Sequence, residues 1–217
     1  MAKRANAPQL DSDRIAAAAL AVLDKHGIEG FTIRAVAKVL KVTPMALYHH
    51  VEDKAALATL VVEAATVERK LAAPTGEWRE DLWEIARWMR ACTQAHPAVI
   101  DLRRLYRIWN PSILSITERW LVHWQESGLE PKRALQAASV SSLAVSGLVA
   151  EETAFRAVDM ADDAMLSKLP GARALMTSTS DPNVAYELGV RSLIDGLYAR
   201  LSKTPRKAVA AKSRRAK

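Results

Sequence analysis

The chain has 217 residues, half of them hydrophobic, enough for one sizeable domain or for a small domain fused to a larger one. No stretch approaches the roughly 18–20 uninterrupted apolar residues of a membrane span. The net charge of +7 is a tail property: Lys203, Arg206, Lys207, Lys212, Arg214, Arg215 and Lys217 stand together without an acid, leaving 24 basic against 24 acidic residues elsewhere.

Cys92 is the single cysteine, which excludes an intrachain disulfide and any cysteine-cluster zinc site; it reads as a small packing residue. Met1 to Leu10 is polar and has no apolar h-region, so a signal peptide is not expected and the cytoplasm is the expected location.

In chain order, apolar residues recur at helical spacing and no alternating β-branched run suggests a strand. The first helix is expected from about Asp11 to His26, ending near Gly27, with Ile15, Ala19, Val22 and Leu23 as its apolar stripe. The second spans about Thr32 to Leu40, and the third is short, from Pro44 to about His50. The fourth runs from about Asp53 to Leu71 and stops before Ala73-Pro74-Thr75-Gly76.

Further helices are expected over about Glu77–Ala95, Pro97–Trp109, Pro111–Ser127, Pro131–Val158 and Pro182–Leu201. Thr43-Pro44, Asn110-Pro111 and Asp181-Pro182 each set a capping residue before a proline at the first helical position. His96-Pro97 and Glu130-Pro131 are weaker forms of that signal, and Gly128 reads as a helix stop. The stretch from about Asp159 to Asp181 reads as irregular, and the basic tail as disordered.

The first three helices share one device. Asp11, Thr32 and Thr43 are N-cap candidates, each preceded by an apolar residue (Leu10, Phe31, Val42) and followed four positions on by another (Ile15, Val36, Leu47). This hydrophobic staple fixes the entry angle of a helix. Within Gly30–Leu57, Ala37 is small where two helices would cross. Val36, Leu40, Val42 and Leu47 lock both onto the first helix, and Lys41-Val42-Thr43 makes a three-residue turn. That is the pattern of a helix-turn-helix, whose second helix can lie in a DNA major groove.

The segment resembles the tetracycline-repressor (TetR) family of bacterial transcription regulators. The likeness rests on the glycine-containing turn His26-Gly27-Ile28-Glu29-Gly30, on Phe31-Thr32-Ile33-Arg34, on Val36-Ala37, and on Leu47-Tyr48-His49-His50-Val51 with Asp53-Lys54 and Ala56-Leu57. One departure is Lys41, where the family usually has a left-handed glycine; a side chain there costs roughly 1–2 kcal/mol.

The resemblance implies an all-α protein with three parts: a helix-turn-helix DNA-binding domain over 1–56, a helical effector-binding and dimerisation domain over 57–202, and a disordered basic tail over 203–217. It implies that Thr32 binds a backbone phosphate at a helix N-terminus and that Arg34 reaches a guanine edge. Thr43 would cap the recognition helix at the DNA, while Pro44, Met45 and Ala46 face base edges and His49 lies one turn on. Tyr48, His50 and Lys54 would hold phosphates and set the register.

All six tryptophans fall between Trp78 and Trp124, in the region where the family binds effectors. Trp88, Trp109, Trp120 and Trp124, with His123 beside the last two, are the candidate lining of an effector pocket. Arg103, Arg104 and Arg107 form either an anion-recognising group or a solvated face.

Glu151 resembles the acidic residue near the magnesium of a tetracycline chelate. The matching histidine is replaced by Arg103 or Arg104, which argues against such a chelate here. Neither a cofactor nor a metal site is expected. The small residues of Pro131–Phe155, among them Ala138 and Ser142, and the stripe Tyr186, Val190, Leu193 and Leu197 read as a four-helix homodimer interface.

The expected function is sequence-specific DNA binding by a homodimer, a repressor released from a palindromic operator by a partly apolar small molecule. Its expected place is the nucleoid in a bacterial cytoplasm, with no membrane partner. The alternative is an architectural DNA-binding dimer without an effector. No phosphate loop, nucleophile motif or metal-ligand spacing supports an enzyme.

Overall fold

The computed structural model describes residues 10–155, 167–176 and 181–203. The expected disordered tail, apart from Lys203, lies outside the described residues, as do Met1 to Gln9 and part of the stretch expected to be irregular. Every regular element among the described residues is a helix.

The first three helices are α1 (Ser12–Gly30), α2 (Ile33–Leu40) and α3 (Pro44–Tyr48). Their capping residues act as the sequence implies. Asp11 accepts from the Arg14 N–H, Thr32 from the Ala35 N–H and Thr43 from the Ala46 N–H. α1 breaks at Gly27 (φ 63°) and closes with one further turn to Gly30. Lys41 takes the left-handed conformation (φ 57°, ψ 40°) that ends α2. Its N–H donates to the Lys38 carbonyl and the Val42 N–H donates to the Ala37 carbonyl, so the orphan carbonyls of α2 are met despite the missing glycine.

Next come α4 (Lys54–Val67), α5 (Trp78–Ala95), α6 (Pro97–Leu105) and α7 (Pro111–Glu126). α4 ends four residues before the expected stop at Leu71, and α6 four before Trp109. α6 ends early because Arg107 turns left-handed (φ 51°) and the Ile108 N–H donates back to the Arg103 carbonyl. The last three are α8 (Pro131–Phe155), α9 (Pro170–Met176) and α10 (Pro182–Ser202). α9 corrects the irregular reading of the stretch that contains it: Pro170 opens a helix there, as at the other proline starts.

Two apolar cores result. The first gathers Ile15, Leu23, Phe31, Val36 and Leu47 with Leu57, Val61 and Val62 of α4 and Leu102 and Ile108 at α6. The second joins α5, α7, α8 and α10 through Leu82, Ile85, Trp124, Val145, Val190 and Ile194. α4 is thus part of the N-terminal core and a wall of the body at once, and α6 packs on both α1 and α4.

α8 over Pro131–Glu152 is long and apolar enough to cross a membrane by length and composition. Polar residues such as Gln136, Ser139 and Ser146 interrupt it, so no unbroken apolar run marks it in the sequence. Here Ala134, Ala137, Ser141, Val145 and Val149 of α8 are buried against the rest of the chain.

Candidate nucleic-acid interface and ligand cavity

In the α2–α3 unit, alternate sides of each helix have opposite fates. Ile33, Val36, Ala37 and Leu47 are buried, while Thr32, Arg34, Thr43, Pro44, Met45, Tyr48, His49 and His50 are exposed. Met45, at the start of α3, is 67% exposed. Ala46 is half-buried. Lys54 is half-buried as well, its ammonium 5.6 Å from the centre of the Phe31 ring. The Thr32 and Thr43 oxygens accept from their own helices, which leaves each hydroxyl hydrogen free to donate outward.

The body holds a cavity of about 200 Å³ between α4, α5, α6, α7 and α8. Val62, Ile85, Ile116, Trp88 and Trp120 make it apolar, and Thr66, Thr93, Ser142 and Ser146 add hydroxyls. Three of the four expected tryptophans line it. Trp88 donates its indole N–H to the Arg69 carbonyl at 2.7 Å, Trp120 is buried, and Trp109 stands 63% exposed.

Trp124 lies outside the cavity, fully buried in the second core 5.5 Å from the Trp78 ring, its N–H donated to Ser141. The one-turn spacing from Trp120 places both on neighbouring faces of α7, but only Trp120 reaches the cavity wall. His123 also lies outside: its Nδ1 is 2.8 Å from Glu126 and 3.8 Å from Asp81.

Asp81, His123 and Glu126 are brought within 4.8 Å of one another, a donor set no spacing in the sequence shows. The Asp81 carboxylate is already occupied, accepting from the Thr75 N–H and hydroxyl and the Gly76 N–H, so the trio fastens the first turn of α5 to the end of α7. Burial raises the Asp81 carboxyl, but these hydrogen bonds outweigh it and hold it below its ordinary value. Glu151 is exposed and away from the cavity; its neighbour Glu152 is the engaged one, gripping Arg90 through two bonds of 2.6 and 2.7 Å.

The residues expected at the dimer interface also turn inward. Ala138, Tyr186 and Val190 are buried within the chain, with the Tyr186 hydroxyl donated to the Ala86 carbonyl. Leu193 and Leu197 pack against the same core, and Ser142 faces the cavity. A stripe at spacings of three and four reveals an apolar face without saying what covers it. The outward faces carry Leu135, Val140 and Leu143 on α8 and Val184 and Leu188 on α10, all at least half exposed.

The residue that sequence reasoning missed is His96. It lines the cavity and also sits between two acids, Nδ1 at 2.8 Å from Asp24 of α1 and Nε2 at 2.5 Å from Glu68 at the end of α4. Both contacts are hydrogen bonds only when both ring nitrogens carry protons. Burial pushes the imidazole pKa down, but the two carboxylates outweigh it and raise it above the ordinary histidine value. In the sequence His96 is only the residue before a helix-starting proline; its partners lie 72 and 28 positions away.

A helix-turn-helix head fused to a helical body with an apolar cavity defines the class of ligand-responsive DNA-binding regulators. Comparison with known proteins gives the family. Residues 15–61 match the family of bacterial regulatory proteins of the tetR type, and residues 72–201 match the tetracyclin repressor-like C-terminal domain.

The tetracycline repressor protein class E of Escherichia coli is 30% identical over 200 residues, which cover 89% of this chain and 93% of that protein. A TetR variant from Acinetobacter baumannii in complex with minocycline is 28% identical with a TM-score of 0.65, over 90% of this chain and all of that one. The Streptomyces coelicolor TetR family protein ActR in complex with (S)-DNPA is 25% identical with a TM-score of 0.68, over 88% and 98%. The chain belongs to the TetR family: it is a DNA-binding transcription regulator that responds to a ligand, and not an enzyme.

Proposed function

We propose that the protein is a homodimeric repressor that leaves a palindromic operator when a partly apolar small molecule fills the cavity among α4–α8. One observation carries this reading: His96 is at once a cavity wall and the only residue among those described that bridges α1 and the end of α4 through side-chain hydrogen bonds. A ligand that displaces α6 or the His96 ring changes how the head is held. An effector that binds better to the DNA-incompetent arrangement shifts the population away from the operator.

The exposed apolar faces of α8 and α10 form the dimer contact in this reading, placing two α3 helices about 34–36 Å apart on successive major grooves. Arg34, Met45 and His49 read bases, while Thr32, Tyr48, His50 and Lys54 hold phosphates. The site of action is the chromosome in the bacterial cytoplasm.

Selection of binding sequences from a random double-stranded pool, wild type beside Arg34→Ala, tests the reading. A two-fold symmetric site is expected, blurred by the variant at one position in each half-site, a loss of about 1–3 kcal/mol of discrimination. Sequence-independent, salt-sensitive binding alone would refute it and favour the architectural alternative.

A further inference from the structure

The cavity wall carries an unbalanced charge. Among the described residues no carboxylate lines it, and its two basic groups differ in kind. His96 is spoken for by Asp24 and Glu68. Arg103 has no ion pair among the described residues, although the next residue, Arg104, has one with Asp101 at 3.7 Å. The Arg103 guanidinium lies 5.7 Å from the centre of the Trp109 ring, which also lines the cavity and is 63% exposed. Burial, and then the charge of Arg104, lower its pKa from the ordinary arginine value. A guanidinium in a half-buried apolar wall is stabilised by an anion it can grip with two parallel N–H donors, and its planar face stacks on aromatics.

The hydroxyls point to a second feature of the ligand. Thr66 donates to the Val62 carbonyl and Thr93 to the Met89 carbonyl, so each hydroxyl hydrogen is used within its own helix. What each offers the cavity is an acceptor oxygen, which a hydroxyl-bearing ligand can satisfy. The volume of about 200 Å³, below the roughly 300–1,000 Å³ of drug-sized sites, suits a compact ring system.

We propose that the effector is a compact, planar, hydroxylated aromatic acid, its rings among Trp88, Ile116 and Trp120 and its anion paired with Arg103 against Trp109. This rests on the effector reading above and names the chemistry of that site.

The test uses 6-hydroxy-2-naphthoate and its neutral carboxamide, an isosteric pair differing in charge. Binding is followed by tryptophan fluorescence and calorimetry. Wild type is expected to bind the acid at least about tenfold more tightly than the amide. Arg103→Met should lose that preference while still binding the amide, which shows that the variant is folded; Arg103→Lys should retain part of it. Ser146→Phe, which fills the cavity, should bind neither.

Equal affinity of wild type for acid and amide overturns the proposal, as does binding of neither. So does a preference that survives Arg103→Met, or acid binding that survives Ser146→Phe. Operator affinity in the presence of bound acid separates the two readings. If the acid binds as expected but leaves operator affinity unchanged, the effector reading fails and the ligand chemistry stands.

Discussion

Lys41 shows what one residue does to a motif. Its left-handed conformation is the one a helix stop requires, yet it carries a side chain that disfavours it. Lys41→Gly is expected to raise the unfolding free energy by about 1 kcal/mol, read from urea melts, with operator affinity little changed because the turn geometry is already formed. A fall in stability would mean that the lysine side chain makes a compensating contact.

His96 is the other residue whose chemistry can be measured alone. Its pKa is raised in the folded protein, so its contribution to stability is fully present below the unfolded value of about 6.5 and is lost as pH rises through the folded value. The stability difference between wild type and His96→Gln should therefore be largest below about pH 6.5 and shrink as the pH rises above it. A difference independent of pH would remove the charged bridge from the account.

At the scale of elements, the sequence was most readable where a local rule has one solution. Asp11, Thr32, Thr43, Asn110 and Asp181 all cap helices where the proline and staple signals place them. The recognition unit was legible for the same reason, since its buried and exposed positions follow from helix period within nine residues of the turn.

The body was less so. α8 and α10 are apolar on two sides, and periodicity does not tell which side meets its own chain. Tyr186 and Val190 went inward, leaving Leu143, at 77% exposed, and Leu188 outward. Likewise His123 and Trp124 share the spacing of cavity residues and lie outside the cavity, while His96, which the sequence marks only as the residue before a proline, joins three elements. Such placements depend on partners dozens of positions away. On the outward faces, Leu143→Asp should convert the proposed dimer to monomer in sedimentation. Each copy would lose on the order of 2 kcal/mol, and specific operator binding would fall with the dimer. A variant that stays dimeric would move the interface elsewhere.

For the whole molecule, the claim is that one wall of the cavity is also the hinge of the DNA-reading head. α4 shares the head's core and closes the cavity, Trp88 is tied to the Arg69 carbonyl just beyond α4, and His96 ties that same end to α1. The proposed release by a ligand requires a coupling free energy between the two sites, typically about 1–3 kcal/mol, and a double-mutant cycle measures it.

The decisive measurement is operator affinity, by fluorescence anisotropy at fixed salt, for wild type, Ser146→Phe, His96→Gln and the double variant. The account predicts that filling the cavity weakens operator binding about tenfold or more, and that the same substitution does much less once the His96 bridge is gone. An affinity of Ser146→Phe within about twofold of wild type, or a loss equally large without His96, would contradict it.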